Sequence, residues 1–280
     1  MHAIALILLL APVASFGWGV TGHKTVCTIA YDELTSPARA EVDRLIGTDS
    51  QYDNFADSCL YADGPPRIRT FDHFLNVPRS YLTISKKECP LAETCVLLAV
   101  DNDSAILANT DKSDAERLEA LKLLGHWVGD LHQPLHISFQ DDLGANQIRQ
   151  KDNDESSLHG AWDFLIIDRE LGDDHNQIAA DLRATITAKD REQWMFDSSV
   201  EWVNESFQIT IARKTGYCTL KNGACWYDKN NMILNPDEKW KEVDITRSYT
   251  RRHRKTVEQR LQQAGLRLAV TINNALDSSD

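Results

Sequence analysis

His126-Trp-Val-Gly-Asp130 sets an imidazole and a carboxylate four residues apart, and His159-Gly-Ala-Trp-Asp163 repeats the arrangement. On a helix, side chains at that spacing meet. One such pair is as readily a surface hydrogen bond or ion pair. Two of them, with His136 between, suggest more. Leu123 and Trp127 border the His126/Asp130 face, while Leu124, Val128 and Leu131 stripe another side. A helix apolar on several sides is a buried one. A buried His beside a buried Asp needs a partner, and a divalent metal is a good one. Imidazole and carboxylate donors without thiolate suit zinc, with manganese and iron also compatible. A site of this kind with an open position would be hydrolytic rather than structural.

The elements that must position these groups are mainly helical. Ser113-x-x-Glu116 is a capping box that opens a helix carrying Leu118, Leu121, Leu124, Val128, Leu131 and Leu135, which Pro134 bends or ends. Ser36-Pro37 begins a capped helix that stops at Gly47. Further helices are expected over 158–171, 175–188, 190–214 and 253–276, the last with Val257, Leu261, Ala264, Leu268, Ile272 and Leu276 on one face. The polar stretch 139–157 reads as a loop or small hairpin, and 60–95, rich in Pro and turn residues, as irregular. No repeat or composition break divides the chain, so a single mainly α domain is expected. The 280 residues are 42% apolar and 26% charged, an ordinary globular composition. The net charge of −12 excludes binding to duplex nucleic acid through basic residues alone. It does not exclude a polyanionic substrate where bound metal supplies the positive charge.

Residues Ala3 to Val13 form an apolar run too short to span a bilayer, which takes about 20 residues. It fits the core of a secretory signal peptide over 1–17, although Met1-His2 lacks a basic residue. Ser15 and Gly17 suit a cut before Trp18. The alternative is a buried N-terminal element. No other segment has membrane-spanning length, so a mature chain of 18–280, secreted or periplasmic and monomeric, is expected. The six cysteines agree with export. Cys89/Cys95 and Cys218/Cys225 would close short loops, which leaves Cys27 with Cys59; the alternative is six reduced thiols. None has the spacing of a cysteine zinc site.

Trp18-Gly-Val-Thr-Gly-His23 follows directly on the expected cut, and from here the sequence resembles the zinc-dependent type I nucleases, the single-strand-specific nucleases and 3′-nucleotidases. That family shares a superfamily with bacterial zinc phospholipases C. Tyr61-Ala62-Asp63 stands where the family has Trp-Ala-Asp, and Asp72-His73-Phe74-Leu75-Asn76 resembles Leu-His-Phe-Ile-Asp. His126-Trp-Val-Gly-Asp130-Leu-His-Gln-Pro-Leu-His136 is close to the central signature. Gly144-Ala145-Asn146 replaces Gly-Gly-Asn, Leu158-His159-Gly-Ala-Trp162-Asp163 matches the last metal motif, and 264–269 resembles the C-terminal helix. The likeness covers nearly all of 18–280. It implies a multi-helix bundle and a Cys27–Cys59 bridge like that of plant members.

The resemblance also implies three zinc ions. Asp63, His73, His126 and Asp130 would hold one. The Trp18 amino group and carbonyl, His23 and Asp130 would hold a second, with Asp130 bridging, and His136, His159 and Asp163 the third. Cleavage before Trp18 then becomes a chemical requirement. Three carboxylates against three dications leave a local charge of about +3. His132 is outside this set and is expected to make a supporting hydrogen bond. The implied reaction is metal-assisted phosphodiester hydrolysis that leaves a 5′-phosphate, with Asp63 orienting the water. Single-stranded RNA and DNA and 3′-nucleotides are the implied substrates, because a base must be free to stack on an aromatic ring, here Phe74. From spacing alone Phe74 reads as core.

Two positions depart from the pattern. Asn76 replaces an Asp that contacts the base, and an amide donates as well as accepts. Pro66 stands where some members carry a phosphate-holding Arg, a role open to Arg67 or Arg69. Asn146 is a further expected substrate contact. Arg251-Arg252-His253-Arg254-Lys255 reads as a solvated helix start outside the site, and Asn102-Asp-Ser and Asn204-Glu-Ser are glycosylation sequons. One rival is a zinc phospholipase C on the same metals, against which Asp163 stands, since that branch uses Glu there. Another is a non-catalytic zinc-binding protein with closed metal sites.

Overall fold

The computed structural model describes residues 17–151, 153–195, 198–227 and 242–277, without the side chains of 153–156. The expected signal peptide, apart from Gly17, lies outside these residues. The architecture is mainly α. The helices are α1 (Val20–Asp32), α2 (Ser36–Ile46), α3 (Phe55–Ser58), α4 (Val96–Ala108), α5 (Asp114–His132), α6 (Leu158–Gly160), α7 (Ile166–Glu170), α8 (His175–Thr185), α9 (Ala188–Trp194), α10 (Ser199–Ile211) and α11 (Arg247–Leu276). The strands are β1 (Leu75–Val77), β2 (Ile137–Phe139), β3 (Arg149–Gln150), β4 (Asn153–Ser157), β5 (Thr219–Lys221), β6 (Ala224–Trp226) and β7 (Glu242–Val243). β1 and β2 run parallel, β3 lies between β4 and β7, and β5 and β6 form an antiparallel hairpin.

α5 is the axis of the fold. Ser113 and Glu116 make both bonds of the capping box, and every residue from Ala120 to His132 is buried. The helix ends at His132, and Pro134 opens a 3₁₀ turn that carries His136 into β2. α4, α10, α11 and α1 pack around it. α11 presents the expected stripe Val257, Leu261, Ala264, Leu268 and Ile272 to the core. Each fully buried aliphatic side chain contributes about 2 kcal/mol. Arg260 and Arg267 are buried on the same helix and share Glu205 of α10, which compensates their desolvation. Burial, and then the two arginine charges, push His132 well below its usual value, so it stays neutral. Its Nδ1 donates to Val128 O, and its Nε2 accepts from Arg267. It belongs to none of the candidate metal groups among the described residues.

Several boundaries differ from expectation. Thr35, not Ser36, caps α2, because its hydroxyl accepts from Ala38 N. The single helix expected over 190–214 is two, each opened by its own capping box, Thr187/Asp190 and Ser198/Glu201. The 158–171 helix contains a π turn at Ala161–Leu165. α11 starts six residues before position 253, at Arg247, capped by Thr246. The basic stretch is thus inside a helix, with Arg251, Arg252, Arg254 and Lys255 exposed and His253 buried. Both sequons also lie in helices. Asn204 Oδ1 accepts from Ile84 N, and Ser206 is buried against Leu131 O. Sulfur bridges join Cys27–Cys59, Cys89–Cys95 and Cys218–Cys225.

His253 packs between Trp162 and Tyr249 and donates from Nε2 to Lys214 O, leaving Nδ1 buried without a hydrogen bond. Burial pushes it down to about 4. An unfolded imidazole titrates near 6.5. Between those values the unfolded chain binds a proton that the folded chain refuses, so stability is lost as pH falls through that window. The loss from this residue is up to about 3 kcal/mol. Urea unfolding of His253→Gln should therefore fall less steeply from pH 6.5 to 4 than that of the wild type. Parallel curves would show that His253 does not carry the acid lability.

Candidate metal centre

Five buried imidazoles and three carboxylates converge where α1, α5 and the α6–α7 segment meet the 60–76 loop. The order begins in α5, whose His126 and Asp130 are both fully buried, with His126 Nε2 3.2 Å from Asp130 Oδ2. His73, at the end of a short 3₁₀ turn before β1, brings Nδ1 to 3.0 Å from the same oxygen and 3.1 Å from His126 Nε2. Asp63 lies 3.7 Å from both imidazoles. From α1, His23 stacks on His126 at 3.9 Å and places Nε2 3.4 Å from Asp130 Oδ1. That approach requires Gly129, since a Cβ there would lie 2.7 Å from His23 Nδ1. On the other side, His159 and His136 stand 3.4 and 3.9 Å from the two oxygens of Asp163. Asp130 Oδ1 also lies 3.4 Å from His136, linking the two halves.

The remaining nitrogens show what the arrangement is set up to do. His126 Nδ1 donates to Cys59 O, His73 Nε2 to Ile68 O, His136 Nδ1 to His73 O and His159 Nδ1 to Gly144 O. Each bond selects a tautomer and leaves the other nitrogen's lone pair toward the carboxylates. His23 Nδ1 and Nε2, His136 Nε2, Asp63 Oδ1 and Asp130 Oδ1 are buried with no hydrogen-bond partner among the described residues. Buried polar atoms left unmatched are costly. Divalent cations would satisfy these, and the donor set suits zinc.

The electrostatics agree. Burial lowers His23 and His73, lowers His136 strongly and brings His159 down to about 4, so these imidazoles are neutral donors. Burial also opposes charge on His126, but Asp130 and Asp63 outweigh it and raise that imidazole. Burial would raise Asp130, but His126 and His136 outweigh it and hold the carboxyl well below its ordinary range. Asp163 goes the other way, raised by burial and by the charges of Asp130 and Asp63.

Among the described residues there are three candidate metal groups: His23/Asp63/His126, His73/His126/Asp130 and His136/His159/Asp163. The third is the expected set. The first two redistribute the other expected ligands, with His126 shared and Asp63 beside His23. Trp18 is fully buried beside them, and Gly19 N donates to Asp163 O, tying the start of α1 to the third group. Gln133 was not anticipated as a site residue, although it lies in the central motif. It is buried and donates to Asp163.

Arg67 and Arg69 separate clearly. Arg69 is held by Asp72 and Asp103, the latter also bonded to Trp127 Nε1. Arg67 lies 3.1 Å from Asp63 Oδ1, and its Nε and Nη2 are buried without a hydrogen-bond partner. Phe74 is only partly buried. With Phe71, Asn76, Leu91, Gln140 and the Cys89–Cys95 bridge it lines a hollow. Phe71 is 59% exposed and meets Phe74 edge to face, so this is not core packing. Asn146 sits on the loop before β3, and its Nδ2 donates to Leu143 O. No helix among the described residues is long and apolar enough to cross a membrane.

The sequence pattern described as S1/P1 Nuclease matches residues 18–277. Endonuclease 2 of Arabidopsis thaliana is 29% identical over 98% of this chain and 95% of the relative. Endonuclease 5 of the same plant is 27% identical over 91% and 89%. Nuclease S1 of Aspergillus oryzae is 29% identical over 56% of this chain and 57% of its own length.

Proposed function

Because this chain belongs to the S1/P1 nuclease family, we propose that it is an exported trinuclear-zinc phosphodiesterase. Its substrates are single-stranded RNA and DNA, cut to 5′-phosphate products, and 3′-nucleotides. The observation that carries this reading is the set of buried His and Asp atoms facing one another without hydrogen-bond partners, with the tautomers of His73, His126, His136 and His159 held by backbone carbonyls. The proposed ligands are Trp18, His23, Asp63, His73, His126, Asp130, His136, His159 and Asp163. Zinc bound there supplies Lewis acidity toward the phosphate and makes a water easier to deprotonate.

The protein's own groups do the rest. Asp63, whose Oδ1 is ion-paired with Arg67 Nε at 3.1 Å, orients the attacking water. Arg67 takes the role open at Pro66, its Nη2, buried without a hydrogen-bond partner, holding a phosphate oxygen while Nε stays paired with Asp63. Phe74 stacks a base and Asn76 meets its edge, which a duplex would not allow without unpairing. Asn146 is a further contact on the rim.

Phe74→Ala should raise KM for an oligonucleotide about tenfold or more, as one base–aromatic stack is worth about 1–3 kcal/mol. Zinc content should not change. Arg67→Gln should raise KM for oligonucleotides and 3′-nucleotides alike, because the phosphate is common to both. Unaltered kinetics would remove either residue from the substrate site. The test of the function itself is a single-stranded oligonucleotide incubated with protein beginning at Trp18, its product ends identified by mass. The expected products carry 5′-phosphate, vanish with chelator and return with zinc. Absence of hydrolysis by zinc-loaded protein, or hydrolysis of phosphatidylcholine instead, would overturn the reading.

A further inference from the structure

The loop between β2 and β3 is strained where it meets His159. Leu143, Gly144 and Ala145 have φ of 56°, 64° and 68°, three successive residues in the left-handed region. Only the glycine adopts that conformation without cost. Gly144 is needed for space as well, since a Cβ there would lie 3.1 Å from Leu135 O and 3.4 Å from His159 Nδ1. The strain serves a contact: Gly144 O accepts from His159 Nδ1, and Ala145 O from the His159 backbone N–H. Strained backbone of this kind persists only where its surroundings impose it.

Asp142 imposes it. Its side chain is fully buried, and its Oδ1 accepts from Ala145 N at 2.8 Å across the strained residues. The carboxyl group is held in turn by Arg79 Nη2 at 2.8 Å and by the hydroxyls of Tyr217 and Tyr227 at 2.6 Å. Burial and Asp142 push both phenols up, so they remain donors. Tyr217 and Tyr227 flank the β5–β6 hairpin, closed by Cys218–Cys225, and Arg79 faces the Phe139 ring of β2. None of these residues belongs to a candidate metal group.

We infer that Asp142 is a positioning residue for the His136/His159/Asp163 group, clamping the left-handed 143–145 loop so that its carbonyls fix the ring and tautomer of His159. This rests on the proposal that the group holds zinc. Partners that orient a ligating imidazole typically contribute 10–100-fold in metal affinity.

The test is a chelator titration of zinc-loaded protein, read as zinc released per chain. Wild type, Asp142→Asn, Leu143→Gly and the double variant are compared. In Asp142→Asn one zinc should be released at about tenfold or more lower chelator concentration, the others unchanged. Leu143 is 58% exposed, so Leu143→Gly removes little packing while relieving a left-handed position. Alone it should release zinc as wild type does; combined with Asp142→Asn it should recover much of the lost affinity. A purely structural Asp142 would not be rescued by glycine one residue away. Asp141→Asn, which weakens the Arg79 pairing but leaves the clamp, should behave as wild type. If Asp142→Asn does not fold, Tyr227→Phe, which removes one donor to Asp142, should show the same selective release. Wild-type release by Asp142→Asn, or failure of the double variant to recover, overturns the inference. A wild-type protein that binds no zinc overturns instead the metal reading on which it rests.

Discussion

Asp130→Asn should remove two of the three proposed zinc ions and lower kcat/KM by about a thousandfold or more. Asp130 meets four imidazoles of the cluster: Oδ2 lies 3.0 Å from His73 and 3.2 Å from His126, while Oδ1 lies 3.4 Å from His23 and from His136. Asn keeps the shape but replaces a charged oxygen with an NH₂ that only donates. The buried imidazoles then face a donor where they had an acceptor, and two dications lose their shared anion. Several kcal/mol of transition-state stabilisation correspond to about 10³ in rate. His136, His159 and Asp163 retain their own geometry, so one zinc should remain. Metal analysis of the purified variant checks this directly. Full wild-type zinc content would refute the bridging role, even if activity were lost.

The candidate centre was legible where it follows helix periodicity. His126 with Asp130 and His159 with Asp163 stand out at four-residue spacing, and Leu123 and Trp127 already marked α5 as buried. Asp63, His73 and His23 carry no such periodic signal. They lie at the ends of two 3₁₀ turns and on another helix, and the family resemblance pointed to them. The partners that set each tautomer were not legible, because they are carbonyls of Cys59, Ile68, His73 and Gly144, and every residue has a carbonyl. Sequence also left Arg67 and Arg69 equivalent. Only the fold shows Asp72 and Asp103 occupying Arg69. Helices α1 and α4 were not anticipated. Between Val96 and Val100 four of five residues are buried, so α4 opens without the clear apolar stripe that marks an amphipathic helix. The break between α9 and α10 was readable in its two capping boxes, and apolar periodicity hid it.

The proposed ligand set makes the N-terminus part of the active centre, which predicts that a chain retaining Gly17 is metal-deficient. Gly17 lies against the cluster so closely that a Cβ on it would fall 1.7 Å from Asp130 Oδ1 and 2.7 Å from His23 Nε2. Residue 17 therefore takes space beside the two groups that the first α helix and α5 direct at one another. With residue 17 attached, the Trp18 nitrogen is an amide whose lone pair is delocalised into the carbonyl, so it is a poor donor to metal. Cleavage before Trp18 would free that space and expose an amine, which binds once deprotonated. Protein beginning at Trp18 should hold three zinc ions, and the same protein with one added glycine should hold fewer. Its activity should be lower by about a hundredfold or more, since even losing a partner that merely orients a ligand costs about 10–100-fold. An alanine in place of that glycine should be worse, because its Cβ would overlap Asp130. Native mass spectrometry reports the N-terminus and the zinc count in one spectrum. Equal zinc in the Trp18 and Gly17 forms would remove the amino group from the ligand set and make Trp18 a packing residue alone.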